Sequence, residues 1–128
     1  MKSRIFSTTI LLSIIMLTAI SCDKYHAKKL AGTYTCKVRY IQWGSNQPPI
    51  DSIYYEDITI KQDGKNVIVL GTPIYIDSLW KGKKYYQGYI HDYLEVQFKK
   101  DSVFITKSGG GLGGNVAREY AGLKKSGN

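Results

Sequence analysis

The sequence predicts an all-β fold, a small antiparallel up-and-down meander of about eight strands closed into a barrel or a flattened sandwich. Three observations predict it. From Ala31 onward apolar and polar residues alternate with a period of two. Clusters of Gly, Pro, Asn and Asp interrupt the alternation at roughly 8–12-residue spacing. Eleven tyrosines, with abundant Ile and Val, suit a pleated and half-buried surface. A chain of 128 residues has room for one such domain, over residues 31–128.

The first strand is set by Tyr34, Cys36, Val38 and Tyr40, which alternate with Thr35, Lys37 and Arg39. Trp43 to Pro49 reads as a loop by composition. Alternation resumes from Ile53 to Gln62 through Ile58 and Ile60, and Asp63-Gly64 turns the chain because Gly accepts positive φ. Asn66 to Leu70 pairs back. Gly71-Thr72-Pro73 is the next turn, and Ile74 to Leu79 is expected as an edge strand, where a neighbouring proline is tolerated. Tyr85 to Ile90, then Leu94, Val96 and Phe98, then Val103 and Ile105 give three more strands, separated by His91-Asp92 and Lys100-Asp101. Val116 to Leu123, after the Gly109–Gly114 run, reads either as a last strand or as a short helix capped by Asn115. Tyr34, Tyr40, Tyr54 and Phe98 are candidates to fill the interior, and little empty cavity is expected.

Residues 1–21 read as an export signal rather than as part of the fold. Lys2 and Arg4 precede an apolar run from Ile5 to Ile20, 16 residues long and interrupted by Ser7, Thr8, Thr9 and Ser13. A permanent span needs roughly 20 apolar residues, so a cleaved signal fits better. Asp23 to Leu30 carries Lys24, Lys28 and Lys29 and reads as a basic tether.

Several chemistries find no support. Two cysteines and two histidines are too few for a Cys-built zinc site or a disulfide scaffold, and no metal or other cofactor is expected. Gly109, Gly111 and Gly114 satisfy G-x-G-x-x-G, yet no helix, second parallel strand or acid about 20 residues on follows them; a hairpin loop is the simpler reading. His26 lies in the tether and His91 in a turn, with no nucleophile positioned beside either. Glu56 and Asp57 are adjacent on a strand and so point to opposite faces. Cys36 is expected as a small buried hydrophobe. No enzyme is expected, and no nucleic-acid partner, because no aromatic stacking motif interleaves the lysines.

The charge arrangement carries more information. The chain has 18 Lys+Arg against 10 Asp+Glu, a net +8. Successive turns of a meander alternate between the two ends. One end therefore collects Lys28, Lys29, Lys65, Lys81, Lys83, Lys84, Lys99, Lys100, Lys124 and Lys125 against Asp63, Asp77 and Asp101. The other receives Trp43, the Gly71 turn, His91, Asp92 and the glycine loop with Gly111 and Leu112, without a lysine in those turns. The expectation is a basic end facing an anionic membrane and an outward end, with Trp43, serving recognition.

The stretch Leu17-Thr18-Ala19-Ile20-Ser21-Cys22 resembles the signal of bacterial lipoproteins, with Ala19 where that pattern prefers Leu. The resemblance implies lipidation of Cys22 after cleavage, leaving 107 residues with a charge of +6 and Cys36 as the remaining thiol. The opening Leu30-Ala31-Gly32-Thr33-Tyr34, the segment Asp101 to Ile105 with Ser108 to Gly114, and the closing Tyr120-Ala121-Gly122-Leu123-Lys124-Lys125 are similar to small lipocalin-like lipoproteins of Gram-negative bacteria. That likeness implies an exported, lipid-anchored β-barrel and no particular functional residue. The role expected is a non-catalytic envelope binding module that recognises a protein, a glycan or an anionic lipid surface. Tyr85 and Tyr86 join Trp43 as candidate contacts. A carrier of a small apolar ligand, and an inhibitor or immunity protein against an envelope-active enzyme, are the alternatives.

Overall fold

Eight antiparallel strands form one curled sheet in the computed structural model, which describes residue 10 and residues 22–44, 46–89, 92–111 and 113–126. Residues 1–9 and 11–21, Ser45, Ile90, His91, Leu112 and residues 127–128 lie outside the described residues, and with them nearly all of the signal segment and two of the residues expected at the outward end. The strands are β1 (Gly32–Gly44), β2 (Gln47–Asp63), β3 (Asn66–Val69), β4 (Thr72–Tyr75), β5 (Lys84–Tyr89), β6 (Asp92–Lys99), β7 (Ser102–Gly111) and β8 (Gly114–Lys124). Their order across the sheet is β4-β3-β2-β1-β8-β7-β6-β5. Each strand thus pairs with its sequence neighbour, and β1 with β8. This is the circular order of an up-and-down barrel with the β4–β5 pairing left out.

That missing pairing is where the structure departs from the expected closed barrel. The segment expected as a strand from Ile74 to Leu79 is extended only in β4, at the sheet edge and containing Pro73. The chain then winds through a 3₁₀ turn at Ile76–Ser78 and a second turn at Trp80–Gly82 before β5 begins. With β3 and β4 only four residues each, the two strands cover only the lower part of the 17-residue β2. The result is a half-barrel, closed below and open above. Val116 to Leu123 lies within β8, so strand replaces the alternative of a short helix there.

The core fills the lower half. Tyr34, Cys36 and Val38 from β1, Ile58 and Ile60 from β2, Val96 and Phe98 from β6, and Val103 and Ile105 from β7 are buried on the inner face, as period-two alternation requires. Gly122 on β8 completes this floor: a Cβ there would collide with the Cys36 sulfur and stand 3.1 Å from Val103 Cγ1.

Residues 22–30, expected as a loose tether, are helical and close the bottom of the half-barrel. Ala27 and Leu30, three apart and therefore on one helix face, enter the core at 0% and 8% exposure. The Tyr34 hydroxyl donates to the Leu30 carbonyl at 2.7 Å, and Lys124 Nζ donates to the Lys29 carbonyl at 2.7 Å. Both satisfy carbonyls that a helix end leaves free. Near the start of this segment, Tyr75 donates to Asp23 at 3.0 Å and Gln62 donates to the Lys24 carbonyl at 2.9 Å. His26 stacks on Trp80 with ring centroids 3.7 Å apart. No helix among the described residues is long and apolar enough to cross a membrane.

Candidate functional site

The chain direction fixes which turns share an end. β1 runs up, β2 down, and so on through eight strands, so the 22–30 helix, the Gly64-Lys65 turn, residues 76–83, the Lys100-Asp101 turn and the C-terminal residues 125–126 all lie at the lower end. The helix runs across that end, from Tyr75 at the foot of β4 to Tyr34 at the foot of β1. Cys22, one residue before Asp23, is exposed there. Direct contacts join the other pieces: Gln97 donates to the Gly82 carbonyl at 2.9 Å, and the Lys124 amide donates to the Asp101 carbonyl at 2.8 Å.

A cleft of about 210 Å³ opens in this end, lined by Lys29, Trp80, Lys81, Lys100 and Lys124, with Asp101 as its one acid. Lys29 Nζ lies 6.0 Å from the Trp80 ring centroid, a cation–π distance. Lys81 and Lys100 sit at φ 62° and 53°, the left-handed region that glycine occupies at less cost.

The expected basic residues divide into two groups. Lys29, Lys81 and Lys100 converge on the cleft, joined by Lys124, and Lys28 is exposed beside them. Lys83, Lys84 and Lys99 turn elsewhere. Lys83 Nζ reaches the Asp77 carbonyl at 3.4 Å, and Lys84 pairs with Glu95 at 3.4 Å. Lys99 lies 5.9 Å from the Phe104 ring on the outer face. Lys125 is held by Asp57, whose carboxyl is pushed below its usual range by that hydrogen bond.

At the other end Trp43, 43% exposed, lines a cleft of about 490 Å³ with Gly44, Asn46, Pro48, Ile50 and Asn115. It lies between the β1–β2 and β7–β8 hairpins. Gly111 pairs with Gly114 at the tip of the second, so the glycine run is a hairpin, and no helix follows it to receive a pyrophosphate. Gly114, at φ 147°, permits the close approach, since a Cβ there would stand 2.5 Å from the Trp43 carbonyl oxygen. Asp92 belongs to the same end, on β6 next to β7 and three strands from Trp43, and is paired with Gly109. Among the described residues the cleft takes in Trp43, while Gly111 and Asp92 share its end of the sheet without lining it.

The open upper half exposes a surface that sequence reasoning missed, the concave face above the core. Strand register lines up Ser52, Tyr40, Arg118, Lys107, Leu94 and Gln87 across it. Below that row stand Tyr54, Tyr120 and Tyr85. Tyr54, expected to fill the interior, is 37% exposed because no strand covers it from the β4–β5 side. Glu56 shares this face with Ile58, as alternation allows, and is exposed for the same reason. Tyr85 packs against the core while Tyr86 is 63% exposed, so one of that pair points inward.

The remaining titratable groups offer little chemistry. Burial, with Glu56 and Asp57 nearby, pushes the Cys36 thiol up to about 11, which keeps it protonated and unreactive near neutrality. No group of three or more His, Cys, Asp or Glu that could hold a metal ion occurs among the described residues. Comparison of the chain with protein-family models, curated proteins and solved structures gives no match.

Proposed function

We propose that the protein is a lipid-anchored, non-catalytic binding module of a bacterial cell envelope, resting its lysine-rich lower end on an anionic membrane and presenting its open upper half to a partner. One observation carries this reading: Cys22 and the Lys29–Lys81–Lys100–Lys124 cleft lie at the same end of the half-barrel. A thioether-linked lipid on Cys22 brings that cleft to the headgroup layer, where each lysine adds about 1 kcal/mol of attraction to anionic lipid. Acyl chains contribute about 0.8 kcal/mol per buried methylene, and two or more hold a protein stably. The resemblance of Leu17–Cys22 to a lipoprotein signal supports the same assignment.

A carrier of a small apolar ligand fits less well. The concave face places Arg118, Lys107, Ser52 and Gln87 where such a ligand needs apolar walls. An inhibitor of an envelope enzyme remains one form that the binding module takes, with the partner on the upper half.

Mass spectrometry of the protein extracted from membranes of a Gram-negative host tests the anchor. The expected N-terminal peptide starts at acylated Cys22, and Cys22→Ser leaves the leader uncleaved or the chain unacylated. A mature, membrane-free chain with an unmodified Cys22 contradicts the proposal.

A further inference from the structure

The concave face carries two cations that the fold gives no reason to place together. Arg118 and Lys107 are directly opposite each other in the β7–β8 ladder, an arrangement of like charges that destabilises a sheet. Neither has a carboxylate partner among the described residues. On the outer face several cations are paired: Arg39 bridges Asp51 at 2.8 Å and Glu119 at 3.9 Å, Lys84 bridges Glu95 and Lys125 bridges Asp57. Arg118 lies over the Tyr40 ring at 5.3 Å, which fixes the guanidinium plane and leaves its edge donors for a ligand. In the next row down Tyr54 is exposed, Tyr85 is half-buried and Tyr120 is buried in the core. The surface is therefore cationic and open, with Tyr54 exposed at its edge.

A second observation concerns the strand edges beside it. β3 pairs with β2 only from Lys61 to Asp63, so Gln47 to Asp57 face the opening with one side of the backbone unpaired among the described residues. Across the opening, the outer edge of β5, Lys84 to Tyr89, is also unpaired. Unpaired edges are templates for another strand, and addition of an extended peptide to such an edge is a general mode of recognition.

We infer that the opening receives an extended acidic peptide segment, which pairs with the upper edge of β2 and turns its inward-facing carboxylates towards the Arg118–Lys107 pair. The two observations are complementary. Backbone pairing along Ile50 to Glu56 supplies register, and period-two alternation turns every second side chain of the ligand onto the concave face. A carboxylate there meets unpaired cations, whereas a basic or apolar segment leaves them unneutralised. A second copy of this chain is disfavoured because it carries the same positive charge. A saccharide uses the tyrosines and cations but has no call on the free backbone edge. This site is separate from the lower cleft, so it stands or falls independently of the membrane assignment.

The test uses the full chain in a non-ionic detergent with fluorescein-labelled ten-residue peptides that alternate Glu with Val or Thr. The expected result is saturable binding, weakened about tenfold or more in the Arg118→Gln/Lys107→Gln double variant. N-methylation of alternate peptide residues on the pairing side should weaken binding to a similar extent. Amide hydrogen exchange should slow along Ile50 to Glu56 on binding. Both substituted residues are exposed, and an unchanged urea midpoint shows that the fold survives. Binding that ignores the double variant or the N-methyl groups overturns the inference. So does failure of every alternating peptide to bind, capture of an acidic oligosaccharide such as oligogalacturonate with no protection along β2, or protection of β2 that rises with protein concentration alone.

Discussion

Replacing Lys28, Lys29, Lys81 and Lys100 together with uncharged residues is expected to lower the affinity of the unacylated Cys22→Ser chain, residues 22–128, for phosphatidylglycerol vesicles by about 10²–10³-fold. Four lysines at about 1 kcal/mol each give roughly 4 kcal/mol, and 1.4 kcal/mol is tenfold. The lower value allows for the part of that attraction lost to salt. Lys81 and Lys100 are best replaced by glycine, since both occupy the left-handed region. Those two changes remove charge and relieve backbone cost, so stability should stay within about 1 kcal/mol of the parent. Lys124 is left in place because it caps the Lys29 carbonyl. Co-sedimentation at low and high salt checks the result. The same four substitutions should leave binding to neutral phosphatidylcholine vesicles unchanged. Equal loss on both vesicle types points to a damaged fold instead of a lost electrostatic contact.

Tyr34→Ala is expected to destabilise the protein by about 3–5 kcal/mol, a large share of the roughly 5–15 kcal/mol that a domain has. Tyr34 is 1% exposed, meets Phe98 edge-on at 6.0 Å and joins the first strand to the 22–30 helix through the Leu30 carbonyl. The substitution opens a cavity under the helix and strands a carbonyl at once. Tyr34→Phe keeps the packing and should cost about 1 kcal/mol through the lost hydrogen bond. The two variants also differ in their alkaline response. Burial, with Asp101 as a lesser contributor, pushes the Tyr34 hydroxyl up to about 12 from 10.0. The folded chain therefore keeps a proton that the unfolded chain has already released. Stability is flat below the unfolded value and falls as pH rises from about 10 towards 12, by about 1.4 kcal/mol per pH unit for this group. The Cys36 thiol, raised from 9.0 to about 11, adds a similar decline that begins nearer pH 9. Urea titrations from pH 8 to 11.5 should show the parent losing stability faster than Tyr34→Phe above pH 10. Parallel curves contradict the assignment of that loss to Tyr34.

The strands were legible because each buries one face in a shared core. Leu94, Val96 and Phe98 against Glu95, Gln97 and Lys99 is the clearest case, and the whole of it lies within β6. The parity of the turns was legible too, since it depends only on the number of strands, and four-residue β3 and β4 still count as two. Closure was not. Whether β4 meets β5 depends on a pairing between strands separated by two irregular turns at residues 76–82, and no local pattern encodes it. The 22–30 helix was hidden because three lysines dominate its composition, although Ala27 and Leu30 already carried the three-residue spacing of a buried face. Arg118 and Lys107 stand eleven residues apart in sequence, yet they are equidistant from the Gly111–Gly114 hairpin tip. Once that glycine run is read as a hairpin, their juxtaposition follows from counting outward along both strands. The exposure of their face does not, because it follows from the missing β4–β5 pairing.

The most direct test of the membrane orientation uses the two tryptophans, which stand at opposite ends. Trp80 lines the lower cleft and Trp43 the upper one. They are separated by most of the 13-residue β1, on the order of 40 Å at about 3.3 Å per residue. In single-tryptophan variants, Trp43→Phe and Trp80→Phe, the acylated chain is reconstituted into vesicles that contain lipids brominated near the headgroup. Quenching of Trp80 with Trp43 left bright is the result expected for a lysine-rich end resting on the bilayer. Quenching of Trp43, alone or to the same extent as Trp80, contradicts it.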